Sequence, residues 1–337
     1  MPGINLFNIW HVAAYSVGDI TGIAQLDSAS WQNYGDSLNF STVKPWSDIK
    51  SVVIAGNNLV WIPQFYYRKY TPTTGKYAGK SCLEISPTKH DGFKIQPSFM
   101  YKGVERAGFF IGAYKNTLKD NMLVSIAGVQ PSYQETMQEV EILIDRNNTG
   151  GVAGFHNQTF YETSAVNMLL MIEIGTTDAQ TKIGRGNADS QERMNTGSTN
   201  ATYRGIYDYW GNGWEWVDGI TSDSNGTIQI YDDLGNLTYV DTSVKVVSQN
   251  TSLYIVSMYD NSGAGYDLGA VFLPKEFSGS AGSYGDKTWG ACSPNLNLIK
   301  GGGFGDGDMC GPFALEFDLK SGWNNALESS RMAKWDI

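Results

Sequence analysis

Apolar positions along the chain change their period several times. From Ser51 onward, Val52 to Ile54 and then Leu59 to Tyr70 read as strands across a turn at Gly56-Asn57-Asn58. Pro63 marks an edge or bulge position within that second run. Phe93 to Phe99 and Gly108 to Tyr114 are further β segments rich in aromatics and isoleucine. The period then becomes helical. Ser132-Tyr133-Gln134-Glu135 has the spacing of a capping box, and Met137, Val140, Leu143 and Ile144 follow on one face. Thr159-Phe160-Tyr161-Glu162 opens a second helix through Val166, Leu169, Leu170 and Ile172, stopped by Gly175. The expected helices thus span 132–146 and 159–174.

Residues 176–202 are polar and rich in Gly, Asn and Thr, and read as a long loop. Thr227–Tyr231 and Leu237–Val240 flank Asp232-Asp233-Leu234-Gly235-Asn236 as a hairpin. The last 50 or so residues have no clean period, and no internal repeat is visible. The pattern is α+β: two helices with many short strands and long loops. Residues 1–49, loosely strand-like, form an N-terminal segment read as an attachment or oligomerisation element. Residues 50–337 form the main domain.

Of the 337 residues 41% are hydrophobic and 17% charged, enough to bury a core without staples and too apolar for disorder. The net charge of −10 and the lack of any basic cluster exclude nucleic acid and anionic membrane surfaces as partners. No apolar run is long enough to span a membrane, and the N-terminus lacks the basic region of a Sec signal peptide.

Candidate chemistry is sparse. Cys82, Cys292 and Cys310 lack disulfide or zinc spacing, and His11, His90 and His156 are isolated. No metal site or cofactor is expected. No nucleophile elbow or phosphate loop is present, and the run Gly301 to Gly307 has the wrong spacing for a dinucleotide fingerprint. Two segments stand out instead. One is Tyr203 to Gly219, where glycines separate bulky rings. The other runs from Leu298-Ile299-Lys300-Gly301-Gly302-Gly303-Phe304 to Ser330-Arg331-Met332-Ala333.

Together these resemble the formylglycine-generating-enzyme superfamily, whose fold is of the C-type-lectin type. Gly211-Asn212-Gly213-Trp214-Glu215-Trp216-Val217 matches that family's G-N-x-W-E-W-x motif. Lys300-Gly301-Gly302-Gly303-Phe304 matches its R-G-G-S-W-like strand loosely, and Ser329-Ser330-Arg331-Met332-Ala333 its closing G-x-R-like segment. The resemblance covers roughly residues 50–337. It implies a C-type-lectin fold with two helices and short, twisted antiparallel strands.

Within the superfamily the chain is most similar to phage-tail-associated receptor-binding proteins, in particular the variable proteins of diversity-generating retroelements. Such proteins end in a stretch where mutable positions alternate with fixed ones. Here Gly311, Phe313, Ser321 and Arg331 match the fixed positions within or just beyond residues 303–327. The resemblance implies a ligand-binding surface made by Gly303, Gly305, Asp306, Asp308, Glu316, Phe317, Asp318, Leu319, Lys320, Trp323 and Asn325. Glu316 and Lys320 do not arise from an AAC codon changed only at its adenines, a departure from the usual template.

The expected function is non-enzymatic binding of a protein or cell-surface ligand of a host. The chain would be associated with a virion or tail, or displayed on a cell surface. Homo-oligomer assembly is left open. The alternatives are a structural tail or virion component without diversification, and an oxidase of the same superfamily. The oxidase needs two neighbouring thiolates on copper, whereas Cys310 stands alone in the C-terminal segment, well after Cys292.

Overall fold

The computed structural model describes residues 39–70, 73–74, 81–245, 249–280, 284–290, 296–319 and 327–337, with backbone alone at 81, 249–250, 290 and 318–319 and in the strands Trp10–Ser16, Asp19–Asp27 and Ser30–Asn33. The chain is α+β, dominated by strands, with three α-helices among the described residues.

The long central helix, α2 (Phe160–Ile174), has the cap its sequence predicts. The Thr159 side chain accepts from the Glu162 amide, and the Glu162 carboxylate takes the Thr159 amide. Gly175 ends it in the left-handed conformation, at φ 71°. Every residue from Phe160 to Ile172 is buried, so α2 is a core helix rather than an amphipathic surface helix. Its polar groups are bonded: Asn167 donates to Pro312 O and accepts from Tyr209 Oη.

Helix α1 (Met137–Asp145) starts later than the spacing of Ser132 and Glu135 predicts. Those two side chains do bond, but Gln134 between them lies at φ 77°, and a helix cannot pass through that conformation. The cap is one turn on, where Thr136 and Glu139 form the reciprocal box. A short α3 (Ala179–Lys182) interrupts the long polar loop.

Three sheets surround α2. One has Phe155–Asn157, Met332–Trp335, Gly108–Gly112, Asn57–Pro63 and Lys50–Ile54 in that order, all antiparallel. Its first hairpin turns at Ala55-Gly56, both left-handed, one residue earlier than expected; Asn57 and Asn58 already belong to the strand. A second sheet pairs Trp10–Ser16 with Ser81–Ser86, joining the N-terminal strands to Tyr66–Tyr70. Phe40, Val43 and Trp46, all before residue 50, pack into the main core.

The largest sheet carries the motifs. Trp214–Ser222 lies between Thr227–Tyr231 and Asn297–Lys300, and Leu315–Leu319 follows. The predicted hairpin is present, with Tyr231 opposite Tyr239. Two of its pairings are parallel: Lys287–Gly290 with Leu315–Leu319, and Trp214–Ser222 with Glu328–Ser329. Trp214 and Trp216 pack against α1, whereas Val217 and Ile220 face the α2 core. Alternation along the strand puts Trp216 and Val217 on opposite sides, and the register shift between Val217 and Thr221 lets Val217 and Ile220, three residues apart, share the α2 side.

Candidate functional site

Glu215 is the centre of the molecule's polar interior. Its side chain is wholly buried, as is that of Lys115, and Lys300 and Arg331 are nearly or wholly so. Lys115 Nζ is 2.7 Å from Oε1, Arg331 Nη2 2.8 Å from Oε1, and Lys300 Nζ 3.3 Å from Oε2. Gln158 Nε2 donates to Oε2 at 2.7 Å. Burial opposes the charge on Glu215, but Arg331, Lys115 and Lys300 overcome it and hold the carboxyl well below its ordinary range. Burial lowers Lys300 to about 8 against the pull of Glu215.

Three cations around one carboxylate would be costly without further acceptors. The backbone supplies them. Arg331 donates to the carbonyls of Gly112, Tyr207 and Asp208, Lys115 to Gly213 O and Lys300 to Tyr209 O. Lys300 also stands 4.0 Å from the centre of the Tyr209 ring. Asp208 is buried alongside, accepting from the amides of Gly197 and Thr199.

The cluster gathers the motif residues Glu215, Lys300 and Arg331, widely separated in sequence. The motif's asparagine has its own task. Asn212 Oδ1 accepts from Met194 N and Asn187 Nδ2, and Asn212 Nδ2 donates to Met194 O, so the polar loop is stitched to the core. No local sequence pattern marks Lys115 or Gln158, whereas Asp208 lies within the aromatic segment Tyr203 to Gly219 but is not one of its motif residues.

The segment leaving Lys300 turns through Gly301 to Asp306. Gly302 lies at φ +81°, and a Cβ there would come within 2.5 Å of Cys310 Sγ, so only glycine fits. Asp306 Oδ2 accepts from Trp214 Nε1 and Gly303 N, both at 2.8 Å. Asp308 receives Arg185 at 3.2 Å and Tyr254 Oη at 2.8 Å, with Lys287 at 3.7 Å. The Tyr254 hydrogen bond leads in holding Asp308 below its usual range, with Arg185 and Lys287 adding to it. Gly305 is exposed, and Asp306, Asp308 and Glu316 are partly so.

Two of the expected surface residues are instead interior. Phe317 is 4% exposed and belongs to the α2 core, because Leu315–Leu319 is a strand whose alternate residues Leu315 and Phe317 point inward. Gly303 is buried under Trp214. The side chains of Asp318 and Leu319, and all of Lys320, Ser321, Trp323 and Asn325, lie outside the described residues. Gly311, Phe313 and Arg331 are buried.

Cys310 is buried, its thiol donates to Gly303 O at 3.1 Å, and burial pushes its pKa up. Cys82 is also buried, and Cys292 lies outside the described residues. Among the described residues no group of three His, Cys, Asp or Glu could hold a metal, and no helix is long and apolar enough to cross a membrane.

No family model matches the chain, and no curated protein sequence does. Similar solved structures include PvdO from Pseudomonas aeruginosa, at 12% identity and a TM-score of 0.37, covering 85% of this chain and 97% of that one. Treponema denticola variable protein 1 is similar at 10% identity and a TM-score of 0.38, covering 85% and 99%. The Major Tropism Determinant P3c variant is similar at 12% identity and a TM-score of 0.31, covering 99% and 74%. Variable proteins and tropism determinants are thus among its structural neighbours. These likenesses are remote.

Proposed function

We propose that the chain is a non-enzymatic binding protein on a C-type-lectin scaffold, presenting the surface around residues 305–325 to a protein or cell-surface ligand of a host. In this reading residues 50–337 are the ligand-binding unit, and residues 1–49, anchored in its core through Phe40, Val43 and Trp46, serve attachment or oligomerisation. The chain would be virion- or tail-associated, or displayed on a cell.

The observation that carries this reading is the double pin on Glu215. Lys300 precedes the segment, Arg331 follows it, and both reach the same buried carboxylate. A segment clamped at both ends can change its outward side chains while the scaffold stays fixed. Asp308 and Glu316 are the partly exposed members of the outward set; Asp318, Leu319, Lys320, Trp323 and Asn325 complete it in this proposal. Asp306 serves the scaffold, since it ties Trp214 to the turn.

The internal bonds of Asp306 and Asp308 favour a second reading, a structural tail or virion component whose C-terminal segment does not vary. Adsorption of the labelled protein to a panel of candidate host bacteria separates the two. Replacing Glu316, Lys320, Trp323 and Asn325 together should change which strains bind, with the melting temperature nearly unchanged. An unchanged strain preference would support the structural reading and sink the first.

A further inference from the structure

A polar pocket of about 190 Å³ lies between the strand Tyr66–Tyr70, the short strand Lys94–Ile95 and the hairpin of Ser262–Gly263 with Tyr266–Asp267, and shares no lining residue with the 303–327 segment. That is the room of about six water molecules. Most of its charges are matched within the protein. Arg68 pairs with Glu84. Asp267 accepts from Lys94 Nζ at 2.7 Å, Tyr67 Oη at 2.8 Å and Gly269 N at 2.9 Å.

Lys69 is the exception. Tyr67 and Lys94 are opposite in the strand register, and Lys69, two residues beyond Tyr67, lies on the same face, beside the Tyr67–Asp267–Lys94 cluster. Its Nζ is enclosed and has no hydrogen-bond partner. The charges that attract it are Asp260 and Asp267, both in the pocket lining. The Phe272 ring stands behind it, 5.4 Å away, where an acceptor would be needed. Burial lowers its pKa to about 8 against the pull of the two carboxylates. A buried ammonium without an acceptor is unfavourable and rare. Asp260 and Ser262, also in the lining, are exposed, and their side chains make no hydrogen bond or ion pair among the described residues.

The pocket thus lacks an acceptor for its inner ammonium and a cation for its outer carboxylate. A simple anion would suit Lys69 and be repelled by Asp260, and a simple amine the reverse. We propose that this pocket binds a small α-amino acid, with its carboxylate on Lys69 and Lys94 and its ammonium on Asp260. Lys69 is partly exposed along its flexible four-carbon stem, and turning its Nζ to the ligand breaks no hydrogen bond. Lys94 is exposed and keeps N–H donors beyond the one on Asp267. The site is independent of the surface reading above, so either can fail without the other.

The test is calorimetric titration of the whole protein with L-alanine, acetate and ethylamine, each at constant ionic strength. Saturable binding of L-alanine, tighter than that of either half-ligand, supports the site. Lys69→Met keeps the stem and removes the unpaired charge, so it should abolish binding with the melting temperature unchanged or raised. Asp260→Asn, at an exposed position, should weaken L-alanine about three- to tenfold and leave acetate no weaker. Glu316→Gln should change neither. Three results would overturn the proposal: no saturable binding of L-alanine up to about 20 mM, acetate or ethylamine binding as tightly as L-alanine, or unchanged affinity for L-alanine in either pocket variant.

Discussion

Glu215 and Arg331 lie 2.8 Å apart with both side chains wholly buried, and this pair joins the aromatic motif to the last strand of the chain. Because Lys300 shares the same carboxylate, the pair also fixes where the intervening segment begins and ends.

Glu215→Gln leaves Lys115, Lys300 and Arg331 facing a neutral amide. The expected loss is about 3–5 kcal/mol, the cost of breaking a buried ion cluster on one side. Urea denaturation at neutral pH measures it. The same carboxyl has its folded pKa depressed below the unfolded value of 4.5, so its contribution is complete above that pH and is lost as pH falls through the folded pKa. Stability of the wild type should therefore fall more steeply below about pH 4.5 than that of the variant.

Glu141 shifts the opposite way. Its carboxyl is partly desolvated, and burial together with the charge of Asp218 pushes it up to about 7 from 4.5. Between those values the folded chain binds more protons than the unfolded one, so this group makes stability fall as pH rises through the window. Glu141→Gln should flatten the melting temperature between pH 4.5 and 7 and raise it at pH 8 relative to wild type. Superimposable profiles would contradict the assignment.

Trp214→Phe keeps most of the buried ring but removes the indole donor to Asp306. A hydrogen bond to a charged acceptor is worth about 1.5–3 kcal/mol, and a loss of that size is expected by denaturant titration. Faster amide exchange at Gly303, which shares Asp306 Oδ2, should accompany it.

Cys310 should resist thiol reagents in the native state and react on unfolding, because it is buried with a raised pKa. Cys310→Ser should remain folded with host adsorption intact. Mass mapping after labelling checks the first statement. Rapid native labelling, or a copper ion shared with Cys292, would restore the oxidase reading.

The sequence made α2 legible because every signal agreed there: Thr159 and Glu162 at the start, an apolar run, and Gly175 at the end. It misled at α1, where Ser132 and Glu135 copy a cap but Gln134 turns left-handed, leaving the cap to Thr136. The motif matches at Glu215, Lys300 and Arg331 were readable, but their convergence on one carboxylate was not, since Lys115 and Gln158 carry no local signature. Phe317 was misplaced because a five-residue strand in an aperiodic segment gives too few positions to tell its faces apart.

A fixed scaffold holding a replaceable surface should be visible in a saturation substitution scan of residues 298–337, read as resistance of the displayed protein to proteolysis. Tolerance should be broad at Glu316, Lys320, Trp323 and Asn325, and nearly absent at Lys300, Gly302, Gly311, Phe313, Phe317 and Arg331. Uniform intolerance across the segment, or free substitution at Arg331, would contradict the account.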